Sequence, residues 1–255
     1  MKFFISVSAL LVGVLIVTQL PVVTGINAGE VAHAVEQLEP VELSGKTLFI
    51  SDLHLRYGPI KEQFNLDFSS VQNVVIVGDF FDSPRDFARF GKTQEESLRK
   101  VLADLVPSGF SGKIFFIQGE SHDPTLANIS RLSFEHFDFI NAGKYGKFDV
   151  NGVPVVAFHG NELYGGIAGG GISWLAQKFG YPLALERLGR KRFRIDEHTW
   201  IVAGHSHVPA INQESKIANT GSFAGVPFNF FFRIHAGTGI LFDEGKVQLI
   251  QFENF

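Results

Sequence analysis

LFISDLHL, residues 48–55, decides how this chain is read. The apolar run Leu48 to Ile50 is followed almost at once by a carboxylate, Asp52, and an imidazole, His54. Side chains along an extended strand alternate with period two, so Asp52 and His54 are expected on one side and Leu53 on the other. A single D-x-H pair is compatible with the solvated end of any strand. It is also half of a site for a divalent first-row metal, because carboxylate oxygen and imidazole nitrogen suit such ions. That reading needs further ligands elsewhere in the chain.

The same pattern of short apolar run and polar tip recurs. TLFIS (47–51), NVVIV (73–77), KIFFIQ (113–118), PVVAF (154–158) and TWIVA (199–203) are rich in β-branched and aromatic residues. They read as strands buried on both faces. Between the second and third lies TQEESLRKVLADLV (93–106), where Leu98, Val101, Leu102, Leu105 and Val106 recur at helical spacing behind a Thr93/Glu96 capping box. Strands joined by such a helix predict an α/β layered fold. The tail runs FNFFFRI (228–234), TGILF (238–242) and KVQLIQF (246–252) predict consecutive antiparallel strands that close a second sheet.

The strand ends carry the chemistry. After the first come Gly78-Asp79-Phe80-Phe81-Asp82, then Gly119-Glu120-Ser121-His122-Asp123, then His159-Gly160-Asn161, then Gly204-His205-Ser206-His207. Ligands of open α/β sheets bind outside the carboxyl ends of the strands, so all five tips are expected at one edge.

Composition bounds what such a site serves. With 255 residues, 45% hydrophobic and 19% charged, the chain is long enough for one domain with a sizeable core. A formal charge of −4 leaves no broad basic surface of the kind nucleic-acid binding needs. The absence of cysteine excludes disulfides, thiolate ligands and a cysteine nucleophile. The 27 phenylalanines read as core filling.

From Phe3 to Val23 there is no charged residue, and Lys2 precedes the run. About 21 residues at ~1.5 Å each span a ~30 Å hydrocarbon layer if helical. Residues 1–25 are therefore expected to be a secretory signal or a transmembrane anchor, and membrane contact is expected through this segment. The lone Lys2 places the following domain outside the cytoplasm. Ala32-His33-Ala34 has the form of a cleavage site but lies far behind the apolar run, and Val23-Thr24-Gly25 is closer and weaker. Residues 26–45, with Glu30, Glu36, Glu39 and Glu42, read as a polar spacer before a domain at 46–255.

Taken in order, D-x-H, G-D, a His-Asp block, a lone His and G-H-x-H resemble the calcineurin-like metallophosphoesterases, matching four of that family's five blocks over residues 52–207. The resemblance implies a two-sheet β-sandwich flanked by helices, with a metal site at the strand ends. It implies two divalent ions, Mn, Fe or Zn, the first held by Asp52, His54, Asp79 and His207. The second would be held by Asp79, His159 and His205, with Asp79 as the bridge. His122 would face the transferring phosphoryl group, with Asp123 orienting it. The third block departs from the family's G-N-H-D: Ser121 stands at the asparagine position without a gap, and Glu120 takes it in a gapped register.

Residues 163–195, Gly-rich, then apolar, then basic, are similar to the helical cap of the UDP-diacylglucosamine pyrophosphatase subgroup. By that resemblance Arg187, Arg190 and Arg192 are candidates for a substrate phosphate beside an acyl chain, and Asn219-Thr220-Gly221-Ser222 is similar as well. An ordinary amphipathic helix with a solvated face explains the same pattern. The expected activity is hydrolysis of a phosphomonoester, phosphodiester or pyrophosphate bond in a phosphorylated small molecule or phospholipid-like substrate. Two alternatives remain. A nuclease of the same fold is suggested by GDFFDSP (78–84) and opposed by the charge. A catalytically silent interaction module is permitted by the altered third block.

Overall fold

Runs that the sequence marks as buried on both faces form the middle of two facing sheets. The computed structural model describes residues 28–64, 66–119, 121–161, 163, 167–223 and 237–252, with side chains from Ser173 onward in the helix that starts at Ile167. The expected signal or anchor at 1–25, Glu120 and the run FNFFFRI lie outside the described residues.

In chain order the elements are α1 (Ala28–Gln37), β1 (Val41–Leu43), β2 (Thr47–Ile50), α2 (Ile60–Gln63), β3 (Asn73–Val77), α3 (Pro84–Ala88), α4 (Gln94–Leu105), β4 (Lys113–Ile117), β5 (Arg131–Ser133), β6 (Asp138–Gly143), β7 (Tyr145–Val150), β8 (Val153–Phe158), α5 (Ile167–Lys178), α6 (Ala184–Arg192), β9 (Trp200–Ala203), β10 (Ala210–Asn212), β11 (Ile217–Asn219), β12 (Thr238–Asp243) and β13 (Lys246–Gln251). One sheet has the order β13-β12-β2-β3-β4-β6-β5 and the other β1-β7-β8-β9-β11-β10. The central strands β2, β3, β4 and β6 are parallel, as are β8, β9 and β11.

Period two divides each central strand between two cores. Phe49, Val75, Val77, Phe115 and Ile117 face Phe148, Val155, Ala157, Trp200 and Val202 across the sandwich. Leu48, Ile50, Val74, Ile76, Ile114 and Phe116 face outward onto Leu98, Val101, Leu102 and Leu105 of α4. On the far side, Val156, Phe158, Ile201 and Ala203 pack under α1 and the flanks of α6. The expected two-sheet α/β sandwich flanked by helices is therefore the observed architecture. Helix α4 starts as its sequence predicts: the Thr93 side chain accepts from Glu96 N at 3.1 Å, a cap worth about 1 kcal/mol. The Glu96 carboxylate reaches back to Lys92 N at 2.6 Å, one residue beyond the cap itself.

Two expectations are corrected here. Residues 28–43, read as part of a spacer, belong to the fold: Val31 and Val35, four apart on α1, are buried against the second sheet, and β1 pairs with β7. The surrounding glutamates hid a two-residue apolar stripe. The tail strands β12 and β13 do not close the second sheet. They extend the first, with β12 antiparallel to β2 through Ile240↔Phe49. Alternation within a tail strand says which faces are buried but not which sheet supplies the partner.

Candidate metal centre

The ends of β2, β3, β4, β8 and β9 converge although they belong to two sheets. Strand β2 stops at Ile50, and the chain after it runs beside the chain after β3: Asp52 N donates to Gly78 O (3.1 Å), His54 N to Asp79 O (3.0 Å) and Leu55 N to Phe80 O (3.0 Å). In the second sheet Gly204 N donates to His159 O between the ends of β9 and β8, and His205 N crosses to the first sheet's Asp52 Oδ2, each at 3.0 Å.

Asp52 and His54 do share a site, but not because a strand alternates. Both lie beyond β2 with φ of 54° and 47°, in the left-handed region. Asp79 (48°), His205 (63°) and His207 (58°) share that conformation. Asp and His tolerate it better than most residues, yet each such position costs on the order of 1–3 kcal/mol unless its surroundings impose it. Five of the six Asp and His residues expected as ligands are thus held in a sparsely populated backbone state. Gly78 (φ +77°) turns the chain ahead of Asp79, and a Cβ there would collide with the His159 ring.

The side chains form overlapping groups. Asp52, His54 and His207 make one, Asp79, His159 and His205 another, and His54, Asp79 and His122 a third, each with its ligand atoms within 4.8 Å of one another. His207 Nε2 is 3.0 Å from Asp52 Oδ1, and His159 Nε2 is 3.1 Å from Asp79 Oδ2. His54 Nε2 lies between the two carboxylates, 3.9 Å from Asp52 and 3.7 Å from Asp79. His205 Nδ1 is 3.3 Å from His159 Nε2.

This donor set fits a divalent cation. His54 Nε2 is buried without a hydrogen-bond partner, a costly state for a polar atom unless something else engages it. The ring nitrogen of His159 remote from the cluster, Nδ1, donates to Val77 O at 2.9 Å, which turns the Nε2 lone pair inward as metal-ligating histidines require. Charge points the same way. Burial disfavours the ionised Asp52, but His207, His159 and His54 outweigh it and hold the carboxyl well below its usual range. Burial likewise opposes a charge on His159, yet Asp79 and Asp52 push it up to about 10. Burial and then His159 bring His205 down to about 4. Two buried carboxylates retain a proton on the nearest imidazole, in the place a cation would take.

The third block splits in the structure. His122 joins the cluster, with its ring 4.8 Å from that of His54 and Nδ1 2.6 Å from Asp82 O. Asp123 does not orient it, which corrects the expected pairing. The Asp123 carboxylate instead accepts from Phe80 N (2.9 Å), Phe81 N (3.2 Å) and Gly119 N (2.7 Å), and so ties the loops after β3 and β4 together. Burial, then the Asp79 charge, push Asp123 up to about 7 against those hydrogen bonds. Ser121 is exposed rather than turned into the buried cluster.

The basic candidates fare unequally. Arg190 is not available to a substrate: its guanidinium donates to the carbonyls of Asp196, Thr199 (2.8 Å), Ser215 (2.9 Å) and Lys216 (3.0 Å), which clamps α6 to the end of the second sheet. Arg187 is exposed and Arg192 half-buried. Two contributors had no role in the sequence reading. Asp82 places Oδ1 3.6 Å from His54 Nδ1 and Oδ2 3.3 Å from Arg56 Nε. Glu186, the only acid of α6, is buried and accepts from Asn219 Nδ2 at 2.9 Å, and the same nitrogen holds Gly204 O at 2.8 Å, next to His205. A lone carboxylate in a basic helix was the available signal.

A family model described as the calcineurin-like phosphoesterase superfamily domain matches residues 46–232. No individual curated protein matches the chain. Similar solved structures include vacuolar protein sorting 29 from Cryptosporidium parvum, at 13% identity over 81% of this chain and 96% of that one, with a TM-score of 0.40. A novel archaeal phosphodiesterase is similar at 13% identity over 81% and 99%, TM-score 0.41. A predicted phosphoesterase from Streptococcus pneumoniae is similar at 18% identity over 81% and 89%, TM-score 0.35.

Proposed function

The chain belongs to the calcineurin-like phosphoesterase superfamily, a family of metal-dependent phosphoesterases, and we propose that it hydrolyses a phosphate ester or anhydride at a dinuclear site built on Asp79. The observation that carries this reading is the overlap of the donor groups: Asp79 belongs with His159 and His205 on one side and with His54 and His122 on the other. Asp52, His54, Asp79 and His207 would hold one ion, and Asp79, His159 and His205 the other. Mn, Fe and Zn all suit oxygen and nitrogen donors. Bound, the pair would supply positive charge for the phosphoryl oxygens and a water of lowered pKa.

The chain's own residues do the rest. His122 has Nδ1 committed to the Asp82 carbonyl, which leaves Nε2 to hold or deliver a proton at the leaving oxygen. Asp123 fixes the loops that carry Asp79 and His122. The uncharged run 3–23 supports export or membrane anchoring of this domain, with a phosphorylated small molecule or a phospholipid-like compound as substrate. The exposed Ser121 favours the rival reading of a silent module, because it leaves the family's asparagine ligand unreplaced among the described residues.

Metal content of protein purified without chelator and supplied with Mn, Fe or Zn, measured beside a panel of mono-, di- and pyrophosphate substrates, separates the two. Close to two ions per chain with turnover supports the hydrolase. Two ions without turnover on any substrate supports the silent module, and a stoichiometry near zero removes the dinuclear hydrolase and leaves the silent module.

A further inference from the structure

Seven large apolar side chains are exposed among the described residues, and four of them fall within residues 175–188: Leu175 (43%), Phe179 (54%), Tyr181 (62%) and Leu188 (39%). Phe179 follows α5 directly, and its N bonds back to Leu175 O at 3.2 Å, which keeps the helical turn and sets the two side chains four apart on one face. Tyr181 N bonds back to Ala176 O at 2.9 Å and so keeps that ring at the end of the same helix, while Leu188 sits on α6, which packs against α5. From the geometry we infer that this face of the two cap helices docks on the surface of an anionic lipid bilayer. The inference rests on no step of catalysis and no bound metal.

Charge selects the occupant. Residues 167–194 carry six cationic side chains and one acid, Glu186, which is buried, in a chain whose formal net charge is −4. Arg190 is spent on backbone carbonyls, but Lys178, Arg187, Lys191 and Arg194 are exposed on the same stretch of chain as the apolar residues. Exposed aromatic and aliphatic residues interspersed with Lys and Arg are the composition of a surface that lies in the headgroup layer, roughly 5–10 Å deep. A second copy of the chain would bring like charge against like charge across this face.

Attachment of the rest of the chain agrees. The described fold begins at Ala28, and Val31 and Val35 of α1 share a buried cluster with Leu183 and Phe193, which flank α6. Leu183 is two residues from Tyr181. The uncharged run 3–23 is therefore joined to the body beside the same cap, and membrane contact through that run would bring this face to the bilayer.

The two tryptophans make the test internal, because Trp200 is buried between the sheets and Trp174 lies on α5, one residue from Leu175 and 5.8 Å beneath Lys178 Nζ. Full-length protein is mixed with phosphatidylcholine vesicles, with or without phosphatidylglycerol, whose acyl chains are brominated near the headgroup. In the Trp200→Phe chain, Trp174 emission is expected to fall by about half on phosphatidylglycerol vesicles and by less on pure phosphatidylcholine. The Trp174→Phe chain should keep its emission. Leu175→Ser with Phe179→Ser, in the Trp200→Phe background, should abolish the quenching with circular dichroism unchanged. A chain that sediments with the vesicles while Trp174 stays bright is held by its N-terminal run alone, and that result overturns the proposal. So does failure to bind vesicles at all, or a concentration-dependent dimer or a nucleic-acid complex that occupies this face instead.

Discussion

Both ends of the sandwich use the left-handed backbone, for opposite reasons. At the end remote from the ligands, Asn151-Gly152 joins β7 to β8 and Glu244-Gly245 joins β12 to β13, with φ of 52°, 83°, 46° and 78°. Two-residue hairpins need these values because only such turns match the strand twist. Nothing lies within 4 Å of where a Cβ on Gly152 or Gly245 would sit. At the ligand end, Asp52, His54, Asp79, His205 and His207 are non-glycine residues with positive φ, and no hairpin requires them. There a Cβ on Gly119 would strike the Asp79 carboxylate, and one on Gly204 would strike Ser51 and Asp52. Strain at one end serves the turn, and at the other it serves side chains that must meet.

The sharpest way to break this contrast is at Asp79. Asp79→Asn should abolish binding of at least one ion and reduce turnover beyond the roughly 10²–10⁴-fold expected for loss of a general acid at His122. Metal stoichiometry and steady-state rates on one phosphoester measure both, and an Asp79→Asn chain as active as His122→Ala would remove the bridge.

Gly119→Ala comes next. The new methyl group displaces Asp79 or opens the three hydrogen bonds on Asp123, so metal affinity should drop together with melting temperature. Gly245→Ala is its counterpart and should show the smallest effect. It pays only the left-handed strain of about 1 kcal/mol and leaves metal binding untouched. Parallel metal titration and thermal melts of the two variants compare the ends directly, and equal metal affinities would mean the ligand end is not specially packed.

Between these lies a pH effect on the metal-free protein. His159 is raised from 6.5 to about 10 in the fold, so its contribution to stability is complete below pH 6.5 and is lost as pH rises towards 10. The melting temperature of metal-free protein should fall across that window. With a divalent ion in place of the proton on Nε2 the slope should flatten. A metal-free melting temperature that holds level from pH 6.5 to 10 would show that His159 carries no extra proton.

Local sequence announced much of this. The five apolar runs became β2, β3, β4, β8 and β9 because β-branched and aromatic residues flanked by polar tips have few other places to go, and α4 carries its start in Thr93. Asp52, His54, Asp79, His122, His159, His205 and His207 were all legible as strand-end residues, and all reach one cluster. Asp123 was legible as a member of the block but not as the acceptor of three amides from two loops, since two of those donors, Phe80 and Phe81, are more than forty positions away.

Order along the chain determined that strands would end in carboxylate and imidazole tips, because period and composition act over a few neighbouring residues. Only the tertiary structure decided that those strands divide between two sheets, that β12 returns to β2, that Val31 and Val35 close the far layer, and that Arg190 turns inward to four carbonyls. Each of these is a choice of partner rather than of local shape. The same holds for the backbone at Asp52 and His54: left-handed residues there are unfavourable on their own and persist because Gly78, Asp79 and His205, distant in sequence, hold them in place.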